Sequence, residues 1–224
     1  MLAGRFIVFE GGDGAGKGSA LAAAAQALGA DGHRVLTTRE PGGTPEGLAL
    51  RALLLSESGR VWDARSELLL MTAARVQHVA RVIRPAVAAG QIVLCDRYVG
   101  STLAYQGAGR GLPEPLIRAL HRDFVEDYWP DLNVLLDVPP EVALGRSRAR
   151  LAASETDEGR FEGLDLGFHQ RARASFLAQA AAAPDRTLVI DAAPPLEVVQ
   201  AEVVSRLRAW MPALDSEHKP RDIY

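Results

Sequence analysis

Lysine is almost absent from this sequence. Of the 25 basic residues only Lys17 and Lys219 are lysine, and the others are arginine. A genomic base composition that also favours alanine accounts for most of this bias. The bias leaves Lys17, within a glycine-rich segment, as the one lysine expected in the folded body of the chain.

Cysteine and long apolar stretches are equally scarce. The single cysteine, Cys95, has no partner for an intramolecular disulfide. A strand-like run at 6–9 begins too early to leave room for a signal peptide, and no apolar stretch approaches membrane length. The net charge of −3 lacks the broad positive field of a duplex-binding protein. These absences predict a cytoplasmic protein with small anionic ligands and with neither membrane nor nucleic acid as a partner.

Short β-rich runs alternate with longer helical stretches, which predicts a parallel sheet covered by helices on both faces. The continuously apolar runs at 92–95 and 134–136 are typical of strands buried on both sides. The predicted strands are 6–9, 34–38, 92–96, 132–138 and 187–191. The predicted helices are 17–28, 66–88 with a bend near Pro85, one beginning at Glu141, 165–183 and 195–210.

The domain organisation predicted from this pattern is a single domain over 1–211. Residues 152–164 are rich in Glu, Gly, Ser and Asp without apolar periodicity, which predicts a mobile lid at about 150–164. Residues 212–224 are charged at their end and are predicted to form a flexible tail.

A glycine-rich segment lies between the first predicted strand and the first predicted helix. Backbone N–H groups in such a loop, with the helix N-terminus behind them, bind nucleotide phosphates, and Lys17 would bridge the β- and γ-phosphates of ATP. The segment therefore predicts a P-loop NTPase fold of class α/β. Its predicted nucleotide-binding residues are Gly11, Gly12, Asp13, Gly14, Ala15, Gly16, Lys17, Gly18 and Ser19.

The residue after the lysine departs from the phosphate-loop pattern. A Ser or Thr hydroxyl that binds Mg²⁺ is expected there, but the chain has Gly18, and Ser19 comes one place later. Either Ser19 is repositioned, or phosphates, waters and a carboxylate hold the metal. Ser19 and Asp96 are the candidate metal ligands.

Three further segments narrow the prediction: residues 38–44 (TREPGGT), 73–77 (AARVQ) and 96–107 (DRYVGSTLAYQG). Together with the loop, they resemble bacterial thymidylate kinases from about residue 5 to about residue 211. The resemblance implies a nucleoside monophosphate kinase-like three-layer αβα sandwich with a five-stranded parallel sheet. It also implies transfer of phosphate from ATP to dTMP with Mg²⁺, on the route to dTTP, by a homodimer formed through the 66–88 helix.

The same resemblance implies roles for residues around the transferred phosphate. Arg75 and Arg97 would hold the dTMP phosphate, Asp96 would lie near Mg²⁺, and Asp13 would lie near the acceptor phosphate and sugar. Arginine is suited to these positions because its planar fork matches phosphate oxygens. Gly14 follows Asp13, so the loop cannot supply a transition-state arginine. The bacterial arrangement draws it from the lid, where Arg160 is the candidate and Arg150 the fallback.

The base-binding residues are implied by resemblance too, and one of them departs from the family. A hydroxyl and a carboxamide can read the edge of thymine, which offers one donor and two acceptors. Where the family usually has an aromatic residue on the base, the chain has Met71, whose thioether can also cover a ring. The predicted substrate-binding residues besides the arginines and Asp13 are Glu40, Arg51, Met71, Ser101, Thr102, Tyr105 and Gln106.

Two alternatives stay open from the sequence. One is another P-loop nucleoside monophosphate or deoxynucleoside kinase. The other is a nucleotide-binding regulator that has lost catalysis, which Gly18 and Met71 suggest. Retention of Lys17, Asp96 and Arg97 favours an active enzyme.

Overall fold

A five-stranded parallel sheet organises the computed structural model, which describes residues 4–55, 62–152 and 163–215. The strands lie in the order β2-β3-β1-β4-β5, and every neighbouring pair is parallel. All five predicted strands are confirmed, with ends displaced by at most one residue. They are β1 (Arg5–Glu10), β2 (Val35–Arg39), β3 (Ile92–Asp96), β4 (Leu132–Asp137) and β5 (Thr187–Asp191).

Helices connect the strands and cover both faces of the sheet. The α-helices are α1 (Lys17–Ala30), α2 (Pro45–Leu55), α3 (Ala64–His78), α4 (Arg84–Ala88), α5 (Val99–Thr102), α6 (Glu114–Val125), α7 (Pro140–Ala152), α8 (Leu166–Ala182) and α9 (Leu196–Asp215). A short 3₁₀ turn spans Pro184–Arg186. Two wider π-helical segments, Val79–Ile83 and Leu103–Gly109, follow α3 and α5.

The central strand β1 shows why the sheet is apolar on both faces. Phe6 and Val8 point to the layer that contains α3 and α6. Ile7 and Phe9 point to the opposite layer, with α1 and α9. Successive side chains of a strand alternate between faces, so a strand between two helical layers must be apolar at each position. The result is the three-layer α/β sandwich implied by the resemblance.

The predicted 66–88 helix is one continuous helical path in three parts. A π segment at Val79–Ile83 joins α3 to α4, and Pro85 lies in the first turn of α4. Proline has no N–H to donate to the preceding turn, so it is tolerated where a helical segment restarts. The interruption predicted near Pro85 thus takes the form of a π turn immediately before it.

Strand order places the ligand site. From β1 the chain moves out to the edge strand β2, returns to β3, and then crosses to β4 on the other side of β1. Open parallel sheets bind ligands beyond the carboxyl ends of their strands where the order reverses. Here the glycine-rich loop follows β1 and the 96–107 segment follows β3, so both meet at this edge.

Some predicted features fall at the margins of the described chain. Helix α7 runs to Ala152, and most of the predicted lid, including Arg160, lies outside the described residues. Helix α9 continues to Asp215, five residues past its predicted end at 210, and residues 216–224 lie outside the described part. None of the described helices is both long and apolar enough to cross a membrane.

Candidate active site

A cleft of about 960 Å³ opens at the carboxyl ends of β1, β2 and β3. It brings together almost all of the predicted site residues that the structure describes. Those lining it are Asp13, Gly14, Gly16, Lys17, Gly18, Ser19, Glu40, Arg51, Met71, Arg75, Asp96, Arg97, Ser101, Thr102, Tyr105 and Gln106. Gly11, Gly12 and Ala15 belong to the loop behind this surface, and Arg160 lies outside the described residues.

The glycine-rich loop has the conformation that a phosphate site needs. Gly11, Gly14 and Gly16 have positive φ angles of 135°, 84° and 88°, a region that glycine enters without strain. Lys17 curls back over the loop, with its Nζ donating to the carbonyl oxygens of Gly11 and Gly12 at 3.1 and 2.8 Å. Burial lowers the pKa of Lys17 to about 8, with the charge of Arg97 adding to this effect. A desolvated ammonium of this kind favours an incoming phosphate.

Arg97 is the cation on the opposite side of the loop. Its backbone has a φ of 70°, a left-handed conformation that is uncommon for a residue with a side chain. The turn directs its guanidinium to Asp13 at 2.5 Å, to the Gly11 carbonyl at 3.1 Å and to the Ser101 hydroxyl at 3.0 Å. The charges of Asp13, Asp96 and Glu10 help to raise the pKa of Arg97 despite its burial, so it remains a cation.

Asp13 lies between Arg97 and the Tyr105 hydroxyl, which donates to its Oδ2 at 2.9 Å. Burial alone would raise the pKa of this carboxyl, but the charges of Arg97 and Lys17 lower it to about 2. Asp13 is therefore ionised at neutral pH. It can orient Arg97 or accept a hydroxyl hydrogen bond, but it has no proton to donate.

Glu10, which the sequence did not single out, supports the Arg97 turn from below. Its Oε1 accepts the backbone N–H groups of Tyr98 and Ser101 at 3.0 Å each, and its Oε2 accepts the Ser101 hydroxyl at 2.5 Å. Burial raises the pKa of Glu10 to about 7, against the lowering effect of the Ser101 hydrogen bond and of Arg97. Glu10 fixes the backbone from which the Arg97 side chain projects.

Arg75 occupies a different part of the cleft from Arg97. Its Nε donates to Glu40 Oε2 at 2.8 Å and its Nη2 to Thr102 Oγ1 at 2.9 Å. His78 Nδ1 bonds the other oxygen of Glu40 at 3.0 Å, and His78 Nε2 bonds Thr38 Oγ1 at 2.8 Å. This buried network ties α3 to the segment after β2 and holds Arg75 beside Thr102.

Gln106 lies in the same part of the cleft, in the π segment that follows α5. Its Nε2 donates to Glu67 Oε1 at 2.8 Å, and Arg110 Nη2 bonds the other oxygen of Glu67 at 3.2 Å. Met71 and Arg51 line the cleft near the residues that follow β2, and Arg51 donates to the Pro41 carbonyl at 3.3 Å. The predicted base-reading residues therefore share one end of the cleft.

Comparisons with known proteins give the family of this chain. The profile of the thymidylate kinase family matches residues 9–203. A thymidylate kinase of Cereibacter sphaeroides is 56% identical over 208 residues, covering 93% of this chain and 96% of that protein. One of Alcanivorax borkumensis is 46% identical over 212 residues, covering 93% of this chain and all of that protein. The crystal structure of thymidylate kinase from Ehrlichia chaffeensis superimposes with a TM-score of 0.75 at 32% identity, covering 92% of this chain and 99% of that one.

This chain belongs to the thymidylate kinase family.

Family membership implies a divalent metal, and the described residues fit one. Asp96 Oδ1 is buried at the end of β3 and has no hydrogen-bond partner among the described residues. Ser19 is exposed on the same cleft, one residue beyond Gly18. The described part of the chain contains no cluster of three or more metal-binding side chains.

Sequence reasoning gave no role to three residues that support the thymidylate kinase site: Glu10 and Glu67, which it did not single out, and His78, which it placed only on the helix face of Met71 and Arg75. Each acts through a contact with a residue 38 or more positions away in sequence. Local spacing carries no signal of such a contact. Glu67 and His78 also fall within a helical pattern in which a polar residue ordinarily faces solvent.

Proposed function

We propose that this chain transfers the γ-phosphoryl group of ATP to dTMP, forming ADP and dTDP on the route to dTTP. Membership of the thymidylate kinase family and the names of its relatives support this reaction. One observation carries the proposal at the level of residues. Arg97 bonds both Asp13 of the phosphate loop and Ser101, and the next residue in the chain, Thr102, bonds Arg75.

The donor phosphates of ATP lie in the loop that precedes and begins α1. Backbone N–H groups and the start of α1 bind the phosphate oxygens. Lys17 exchanges its two carbonyl contacts for the β- and γ-phosphates and offsets the charge that spreads over the equatorial oxygens during transfer. Because the Lys17 side chain is already desolvated, its charge acts more strongly on the phosphates than it would in water.

The acceptor phosphate of dTMP lies at Arg97. This guanidinium is close to the loop, and Asp13 and Ser101 hold it in place. The acceptor oxygen of a monophosphate is largely deprotonated at neutral pH, so it needs positioning rather than a strong base. The resemblance implied that Arg75 also holds this phosphate. Its hydrogen bonds to Thr102 and Glu40 favour the base end instead, and we propose that the two arginines act on different parts of dTMP.

Thymine lies between Met71 and the polar pair Thr102 and Gln106. Arg51 and Glu40 close the side formed by the segment after β2, and Tyr105 lies between this end and Asp13. Mg²⁺, held by Asp96, by Ser19 or its neighbouring waters, and by ATP, would neutralise charge on the transferred phosphoryl group.

A lid arginine completes the charge balance of transfer. Arg160 is the proposed residue and Arg150 the alternative, because the phosphate loop has Gly14 where it would otherwise carry an arginine. An arginine that reaches the phosphates on closure stabilises the transition state more than bound ATP. We expect Arg160→Ala to lower kcat while leaving the affinities for ATP and dTMP nearly unchanged.

The proposed assembly is a homodimer formed through the 66–88 helical path. An apolar stripe runs along its exposed side, with Leu69 at 56% exposure followed by Ala73 and Ala80. Helix α6, which packs against α3, also exposes Leu116 and Phe124, the latter at 61%. Exposed apolar side chains on two helices that pack together favour a protein interface on this face. The proposed location, where ATP and dTMP are both supplied, is the cytoplasm.

A coupled assay of ADP release with six acceptors tests the function: dTMP, dUMP, UMP, CMP, AMP and GMP. We expect dTMP to be the best acceptor because Arg75, Thr102 and Gln106 converge at the base end. Robust transfer to another monophosphate without activity on dTMP would establish the other kinase alternative. ATP binding without transfer to any acceptor would establish the regulator alternative, which the buried Lys17 and the Arg97–Asp13 pair disfavour.

A further inference from the structure

Gln106 is held by a partner that can only accept hydrogen bonds. Glu67 is fully buried, and Gln106 is 2% exposed. One Glu67 oxygen takes the Gln106 amide N–H, and the other takes an N–H from Arg110. A guanidinium has donors only, and a carboxylate paired with it is an acceptor at both oxygens. Gln106 must therefore turn its NH₂ group toward Glu67.

This constraint decides which polar atoms Gln106 offers to the cleft. An amide has one carbonyl oxygen and two N–H hydrogens, and in a crystal its two orientations are hard to tell apart except by their partners. With one N–H fixed on Glu67, the carbonyl oxygen and the second N–H remain. The cleft side of Gln106 is therefore an acceptor next to a donor.

Pyrimidine bases differ in this respect. Thymine and uracil present the N3–H donor beside the O4 acceptor, which match an acceptor and a donor. Cytosine presents an N3 lone pair beside the exocyclic amino group, which need the reverse order. Arg75, a donor at every polar atom, lies at the same end of the cleft and also disfavours an amino group.

The geometry points to Glu67 as a specificity-determining positioning residue that fixes the amide orientation of Gln106 and so selects bases with an N3–H over cytosine. The inference rests on the proposed function in that it takes the base to lie at Gln106. Glu67 acts through Gln106 and does not touch the substrate.

Arg110 makes a single substitution informative. In Glu67→Gln the new amide has one oxygen and one NH₂ group, and the donor-only Arg110 side chain favours the oxygen on its side. The NH₂ group then faces Gln106, which must turn its own oxygen toward it. The variant therefore reverses the polarity that Gln106 presents to the base instead of merely loosening it.

The experiment measures kcat/KM and calorimetric binding for dTMP, dUMP and dCMP with the wild-type chain and Glu67→Gln. We expect the preference for dTMP over dCMP to fall about tenfold or more in the variant. The preference for dTMP over dUMP should stay within about twofold, because those two share the N3–H and O4 edge. A loss of structure at this site would instead lower kcat/KM and binding for all three substrates together.

Two further variants accompany this comparison. Glu114→Gln, an exposed carboxylate that is likewise paired with an arginine, is the control and should keep the wild-type preference. The double variant Glu67→Met with Arg110→Met replaces the buried carboxylate and its partly exposed partner by apolar groups, which costs less than leaving Glu67 unpaired. The double variant frees the Gln106 amide to turn either way and should also reduce the preference for dTMP over dCMP. It replaces Glu67→Gln in the experiment if that variant does not fold.

The outcomes separate this inference from the proposed function. A folded Glu67→Gln chain with wild-type preference for dTMP over dCMP would overturn it, as would a wild-type chain that binds dCMP as well as dTMP. A wild-type chain that binds dTMP selectively but transfers no phosphate would refute the proposed reaction and leave the binding comparison to decide on Glu67.

Discussion

Arg97 shows how much of the site depends on the backbone of one residue. Its left-handed φ of 70° carries a strain of about 1 kcal/mol or more for a residue with a side chain. Hydrogen bonds at both sides of the turn compensate for it. The Arg97 N–H bonds the Phe9 carbonyl at 2.9 Å, and Glu10 accepts the next N–H along the chain. The strained turn aims the guanidinium at Asp13 and the phosphate loop.

Gly18 offers a direct test of how the metal is held. A Cβ at this position would meet no atom within 4 Å, so a side chain fits without strain. Gly18→Thr supplies the hydroxyl that phosphate loops usually use for Mg²⁺. We expect the free Mg²⁺ concentration for half-maximal rate to fall several-fold.

Gly18→Ala is the matched control, because it adds a Cβ without a hydroxyl. Gly18→Ala should gain about 0.5–1 kcal/mol of stability from replacing glycine in α1, and Gly18→Thr should gain less because threonine is β-branched. Equal Mg²⁺ dependence in the two variants would mean that the hydroxyl does not reach the metal.

Glu10 predicts a pH dependence of stability. Its folded pKa of about 7 lies above the ordinary 4.5, so the folded chain binds more protons than the unfolded chain between these values. The stability that Glu10 contributes is complete below pH 4.5 and is lost as the pH rises through 7. Glu10→Gln keeps the acceptor for Tyr98 and Ser101 without titrating.

The free energy of unfolding of the wild type should therefore fall relative to Glu10→Gln, by at most about 3 kcal/mol between pH 5 and pH 8. Denaturant titrations at the two pH values measure this difference. Glu114→Gln, an exposed carboxylate, should show no such change. A constant difference between wild type and Glu10→Gln would show that Glu10 titrates normally.

At the scale of elements, the strands were predictable and some helical details were not. Runs such as 92–95 are apolar at every position, and few structures other than a doubly covered strand need that. The π segments at Val79–Ile83 and Leu103–Gly109 left no signal, because an extra residue in a turn does not interrupt a helical pattern of apolar residues. Helix α6 is predictable from its amphipathic pattern, in which Ile117, His121 and Val125 face inward.

The phosphate loop packs against α7. Substitutions at two glycines of the loop, one in contact with α7 and one not, test this contact. A Cβ at Gly14 would lie 1.9 Å from the Ala143 carbonyl oxygen and would need a φ of 84°, whereas a Cβ at Gly12 would meet nothing within 4 Å. Gly14→Ala should lower the free energy of unfolding by about 2 kcal/mol or more, through overpacking and backbone strain. Gly12→Ala should change it by less than about 1 kcal/mol.

Thermal and denaturant unfolding of the two variants without ligands measures this contrast. Ligands are left out because phosphates could clash with either new methyl group. Equal stability of the two variants would show that the loop does not rest on α7 as the structure places it.

Different helices cover the two faces of the sheet in the whole molecule. Helices α1 and α9 cover one face of the sheet, and α3 and α6 cover the other with the Leu69 stripe exposed. Leu69→Asp should convert the proposed homodimer into a monomer, since a charge is costly at the apolar centre of an interface. Light scattering after size-exclusion chromatography gives the mass.

Val198→Asp on α9, where the side chain is 50% exposed, is the matched control on the other layer and should leave the mass unchanged. A wild-type chain that already has the mass of a monomer would remove the dimer proposal. A dimer that persists in Leu69→Asp would move the interface to another surface.

The proposed reaction moves a phosphoryl group to dTMP rather than to water, and release of ADP alone does not distinguish these two acceptors. Phosphorus NMR of a mixture of ATP, Mg²⁺ and dTMP follows both outcomes in one sample. We expect dTDP and ADP to form in equal amounts with little free phosphate, and folded Lys17→Ala to be slower by orders of magnitude because it lacks the charge on the transferred group. Free phosphate in place of dTDP, or a wild-type rate in Lys17→Ala, would contradict the account.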